Sequence, residues 1–120
     1  AMTARALLLV LCLLAPAAQA VETETAVRSE IRLLDKTTGE VRDLTFERGE
    51  TQVFGLLSVT VGECRYPLAN PSGDAFVQIE ISDSRRGAPV FQGWMVASAP
   101  ALNALDHARY DVWALRCITE

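Results

Sequence analysis

Short runs of alternating apolar and polar residues recur along most of the chain. Ile31 and Leu33 alternate with Glu30 and Arg32, the period of a half-buried strand. Lys36 to Gly39 supplies a turn in which Gly39 is free to take positive φ. Val41, Leu44 and Phe46 carry the return strand and break strict alternation, which admits a bulge there. Leu57, Val59 and Val61 oppose Ser58 and Thr60 in the next strand, between Gly55 and Gly62. After the breakers Pro67, Pro71 and Gly73, Val77, Ile79 and Ile81 point inward and Gln78, Glu80 and Ser82 outward. "VFQGWMV" and "YDVWALRC" read as the last two strands.

One segment breaks the rhythm. Ser98 suits a helix N-cap and Pro100 suits its first turn, which predicts a short helix with Ala101, Leu102, Ala104 and Leu105 as its apolar face. It ends near Asp106 and His107. The fold expected is all-β and mainly antiparallel: a small single-domain β-sandwich or partly open barrel of about seven strands, with one short helix before the last. Val77, Ile79, Leu102, Leu105, Trp94 and Trp113 are expected in its core, the two tryptophans mostly buried beneath the helix. An immunoglobulin domain is disfavoured, because Trp94 lies far past Cys64 and Tyr110 is not two residues before Cys117.

The first 20 residues belong to a different pattern. Arg5 precedes an apolar run from Ala6 to Ala15, and Ala18-Gln19-Ala20 closes it with small residues. This is the layout of a secretory signal peptide cleaved after Ala20, leaving residues 21–120 as one domain. The apolar run falls short of the about 20 residues that a membrane span needs. A lipoprotein reading of Cys12 fails on the bulk of Leu11. The expected location is periplasmic, with any membrane association made through a partner.

Export changes the reading of the cysteines. With Cys12 removed, Cys64 and Cys117 remain, and two cysteines in an exported chain are most economically a disulfide. No CxxC spacing supports a redox pair, and His107 alone cannot complete a metal site, so neither metal nor cofactor is expected. Charge excludes a further class. Fifteen acidic residues outnumber eleven basic ones, and no basic run is present to track a phosphate backbone, so nucleic acid is not an expected partner.

No catalytic residue is assigned. Ser, His and Asp are all present, but no G-x-S-x-G elbow marks a nucleophile. Asp106 and His107 are adjacent, so on a regular element their side chains point apart. A helix C-terminus accounts for His107, which predicts a surface position and little cost on replacement. Arg85 and Arg86 could grip a phosphate or carboxylate, although a solvated hairpin tip is their ordinary role. With Tyr66 they are the candidates for a binding surface.

The segments "LLDKTTGEV", "VGECRYP", "VFQGWMVASAPALNALDH" and "YDVWALRC" resemble the DUF2155 family, a domain of unknown function in alphaproteobacteria. The resemblance rests on Gly93-Trp94-Met95, on Ser98 through Leu102 and on Tyr110 through Trp113, and covers nearly the whole of residues 21–120. One departure is Ala108, where the family often has Pro. The resemblance implies an exported, non-catalytic accessory protein. Its genomic setting implies a partner, the membrane arm of respiratory complex I on its periplasmic side. Two other readings compete: a free periplasmic module that binds a ligand or envelope polymer, and a small inhibitor or enzyme acting on envelope components.

Overall fold

A computed structural model describes residues 20–120. The expected signal segment and its cleavage site lie almost entirely outside them. The strands are β1 (Thr23–Thr25), β2 (Arg28–Asp35), β3 (Val41–Glu47), β4 (Glu50–Phe54), β5 (Leu57–Pro67), β6 (Phe76–Asp83), β7 (Phe91–Val96) and β8 (Tyr110–Ile118). All pairings are antiparallel.

Two sheets result. The larger runs β1-β5-β6-β7, with β4 also on β5; the smaller runs β3-β2-β8. They pack as a sandwich with no closed barrel. β5 is long enough to hold two neighbours along one margin. Its first half pairs with β4 and its last residues with β1. The strand β1 falls in a stretch too polar to announce itself, and it is held by backbone pairing with Arg65 to Pro67.

The core follows the period-2 alternation. Ile31, Leu33 and Phe46 from the small sheet meet Leu57, Val59, Val61, Val77, Ile79 and Ile81 from the large one, all of them buried. Val77 and Ile79 therefore sit where the pattern puts them. Gly39 takes the left-handed backbone (φ 79°) that closes the β2–β3 turn. The bulge that the β3 pattern admits does not occur: its register with β2 is continuous from Glu47 to Val41. Val41 faces outward and Arg42, Leu44 and Phe46 share the inward side, so a polar residue occupies an inward position at the sheet margin. The irregularities lie in β5 between Val61 and Cys64, and in β8 opposite Glu30 and Ile31.

The expected helix does not form. Only Pro100–Leu102 makes a single 3₁₀ turn, without a side-chain cap, and the chain is extended again at Asn103. Contacts with other parts of the fold hold the segment instead. The Ser98 amide and hydroxyl both donate to Asp74, at 3.0 and 2.7 Å, and tie this residue to the 71–74 loop. The Asn103 side chain donates to Trp94 O at 2.9 Å and holds the segment against β7. With no helical face to present, Leu102 is 76% exposed, whereas Leu105 still reaches the core.

The tryptophans are corrected with it. Met95 and Val112 point inward, so their neighbours Trp94 and Trp113 lie on the outer faces of the two sheets. Trp94 is 36% exposed, with the Arg65 guanidinium 5.1 Å above its ring. Trp113 is half-buried on the outer face of the small sheet, opposite Arg32. Trp113→Ala is therefore expected to lower stability by about 1–2 kcal/mol, below the roughly 3–5 kcal/mol of a fully buried tryptophan. Urea denaturation checks this, and loss of the folded state in that variant would restore a core role.

Candidate functional site

Two aspartates organise one end of the sandwich. Asp35 closes β2 and Asp83 closes β6, and each caps the turn that follows its strand. Asp35 Oδ1 accepts from Thr37 N (2.9 Å) and Thr38 N (3.3 Å). Asp83 Oδ1 accepts from Arg85 N (2.9 Å). Each carboxylate also holds an arginine through two nitrogens: Asp35 holds Arg109 and Asp83 holds Arg85. Both aspartates are buried, an environment a carboxylate tolerates when its oxygens are partnered.

His107 joins the two clusters. It is buried, contrary to the surface position expected. Its Nδ1 accepts from Arg109 N (3.0 Å) and Tyr110 N (3.3 Å). The ring proton therefore sits on Nε2, which donates to Asp83 Oδ2 at 2.9 Å. The partner of His107 is thus Asp83, 24 residues away in sequence, and not the adjacent Asp106. Lys36 Nζ donates to His107 O (2.9 Å) and ties in the β2–β3 turn. Tyr110, wholly buried, packs 5.2 Å from the His107 ring and accepts from Leu56 N at 3.0 Å. Gly55 beside it has a left-handed φ of 59°, and a Cβ there would collide with the Tyr110 hydroxyl.

A histidine oriented by an aspartate is half of a general-base constellation. Here both ring nitrogens are engaged, and the side chains of His107 and Asp83 are 3% and 0% exposed. Neither ring nitrogen has a vacant hydrogen-bonding position in this arrangement. What the arrangement does is join the turns at 36–39, 55–56 and 84–87 to the segment that enters β8.

These carboxylates link stability to acid. Hydrogen bonds from Arg109, backed by the amides of Thr37 and Thr38, hold Asp35 down to about 2. Bonds from Arg85 and then His107 hold Asp83 further below the usual carboxylate range. Both folded values lie beneath the unfolded one, about 3.9. Their contribution is thus fully present above about pH 5 and is lost as pH falls through 4 toward 2, with Asp83 the last to give way. The urea midpoint is expected to drop across that interval, and Asp35→Asn to flatten the drop. A midpoint that stays level from pH 5 to pH 2.5 would contradict it.

The other end of the molecule carries the disulfide. Cys64 of β5 is bonded to Cys117 of β8, as expected, and so staples one sheet to the other. Beside it lies a groove of about 700 Å³ between the 71–74 loop, Ala97 and Ser98 on one side and Leu115 to Glu120 on the other. Asp74 in its wall is committed, accepting from the Ser98 and Ala75 amides as well as the Ser98 hydroxyl.

The expected binding residues are not brought together. Arg85 is held by Asp83, Arg86 is exposed on the same turn, and Tyr66 lies half-buried at the opposite end of β5 beside β1. The sequence reading missed Asp35, Asp83 and Arg109. A signal was present: "DKTTG" and "DSRRG" both set an aspartate four residues before a glycine, the spacing of a turn whose first residue caps the amides within it. Among the described residues no group of three or more His, Cys, Asp or Glu side chains is placed to hold a metal ion, and no helix is long and apolar enough to cross a membrane.

Two antiparallel sheets stapled by a disulfide at one end and tied by a polar network at the other define a small disulfide-bridged β-sandwich domain. The chain belongs to the DUF2155 family, described as "Uncharacterized protein conserved in bacteria", whose model matches residues 29–117. That span takes in both cysteines and the whole polar network. A protein of Rickettsia prowazekii (strain Madrid E), itself described as uncharacterized, is 25% identical over 99 residues, 80% of this chain. The match spans 64% of the Rickettsia protein's length. No solved structure matches.

Proposed function

We propose that this protein is a non-catalytic interaction domain of the periplasm. The observation that carries the reading is the state of His107: buried, with both ring nitrogens engaged, it ties turns together where a catalytic histidine would face a cleft. The Cys64–Cys117 bond suits an oxidising compartment, which supports export. The leading partner is the membrane arm of respiratory complex I on its periplasmic side, a proposal that rests on the family resemblance. Any membrane association would then run through that partner.

A tagged copy expressed from its native locus tests this after mild detergent extraction and affinity purification. Stoichiometric recovery of respiratory complex subunits is the expected result. Recovery of a lone protein would overturn the accessory role and favour a free binding module or an enzyme acting on envelope components.

A further inference from the structure

The outer faces of the two sheets carry different chemistry. On the small sheet the outward charges are paired with one another: Arg28 with Glu47, Arg32 with Asp43 and Arg116 with Glu30. On the large sheet one outward row crosses β5, β6 and β7 as Thr60, Glu80 and Gln92, and the next sets Gln78 beside Trp94. The Thr60 hydroxyl is bonded to that of Thr51 at 2.7 Å. Gln78, Glu80 and Gln92 are exposed. Among the described residues none of these three side chains, nor Trp94 Nε1, is bonded to another side chain.

The remaining place in the second row is Gly62, where a Cβ would collide with Gln78 Oε1. The missing side chain leaves a groove of about 300 Å³, lined by Thr60, Gly62, Gln78, Glu80, Gln92 and Trp94 among others. Its aromatic wall is fixed in place. The Arg65 guanidinium stands over the Trp94 ring, 5.1 Å from its centre, and is itself held by Glu63 through Nε at 2.9 Å and Nη2 at 2.6 Å.

We infer that this groove binds a neutral saccharide, with Trp94 against the C–H face of one pyranose ring and Gln78, Glu80 and Gln92 bonded to its hydroxyls. The inference goes beyond the partner reading above and does not depend on it. The lining selects the class. A pyranose ring carries C–H bonds on its faces and hydroxyls around its rim. The C–H hydrogens suit an indole, whose π face is negative. Each hydroxyl both donates and accepts, a glutamine amide answers both, and Glu80 accepts. An apolar ligand would strip water from three polar side chains and give nothing back. An anion would meet Glu80, while the Arg65 guanidinium beside the site is already taken by Glu63. An added peptide strand needs free main-chain groups, and those of β6 are paired on both sides by β5 and β7. The volume lies at the lower end of ligand sites, which suits a short stretch of a sugar chain held weakly.

The chain holds two tryptophans, so the Trp113→Phe protein reports on Trp94 alone. Its emission is followed as cellotetraose, chitotetraose and maltotetraose are added to about 10 mM, where even a millimolar site fills. A saturable shift with at least one of them is expected, and a weaker response to tetragalacturonate, which carries the charge of Glu80. Calorimetry with the best tetrasaccharide then compares variants whose urea midpoints show them folded. Trp94→Ala is expected to weaken binding by about tenfold or more, and Gln92→Ala by up to about tenfold, the worth of one hydrogen bond. Gly62→Ala displaces only the end of the Gln78 side chain, so it keeps the fold and is expected to weaken binding as well. Those two variants carry the test should Trp94→Ala fail to fold. No shift with any neutral tetrasaccharide, tighter binding of tetragalacturonate, or full binding by the folded variants overturns the inference. The native-locus purification keeps the two readings apart. Respiratory subunits recovered with a protein that binds no saccharide leave the accessory role standing and remove this site.

Discussion

Cys117→Ala is expected to lower the stability of this domain by about 4 kcal/mol, measured by urea denaturation against the oxidised protein. The bond closes a loop between residues 53 apart in sequence. In the chain-entropy account, opening such a loop returns conformational freedom to the unfolded chain, and the gain grows with loop length. The structure adds a second reason. Cys64 and Cys117 lie in different sheets, on the central strand β5 and the edge strand β8. β8 is an edge strand paired with β2 alone, so the bond anchors its C-terminal half to the opposite sheet. The amides that β8 shares with β2 near Cys117 are therefore expected to exchange faster in the variant than those near Tyr110. A loss below about 1 kcal/mol, with uniform exchange along β8, would show the bond to be incidental.

His107→Ala is expected to cost at least about 2 kcal/mol, although a surface histidine would cost under about 0.5. The effect comes from what the ring leaves behind. Arg109 N and Tyr110 N lose their common acceptor at the entrance to β8. A buried backbone donor left without a partner costs about 1–3 kcal/mol. Asp83 loses a donor in the same place and keeps Arg85. His107→Gln separates the two contributions, since its amide offers an acceptor and a donor in one side chain and is expected to recover part of the loss. An Ala variant as stable as the parent would mean that water occupies the vacated site and serves both amides.

Both variants act on the entry and exit of one strand, which shows how the molecule is divided. Tyr110, His107 and the two aspartates secure the start of β8 by hydrogen bonds, and Cys117 secures its end by a covalent bond.

The sequence by itself determined what depends on neighbours along the chain. Alternation at Ile31–Leu33 and Val77–Ile81 sets which side chains enter the core, because successive residues of a strand face opposite sides whatever the partner strand is. Gly39 marks its turn through its own backbone freedom, and two cysteines in a chain read as exported had one economical pairing. The tertiary structure decided what depends on distant partners. Ser98 reads as a helix cap from its neighbours, yet in the fold its amide and hydroxyl bind Asp74, 24 residues earlier, and only one 3₁₀ turn follows. Trp94 and Trp113 carry the apolar bulk of core residues, yet the pleat places them outward once Met95 and Val112 point in. His107 stands beside Asp106 in the chain and bonds Asp83 in the fold. Backbone periodicity is a local property that one strand carries alone, whereas a buried polar group is settled by whichever donor or acceptor the packing brings within about 3 Å.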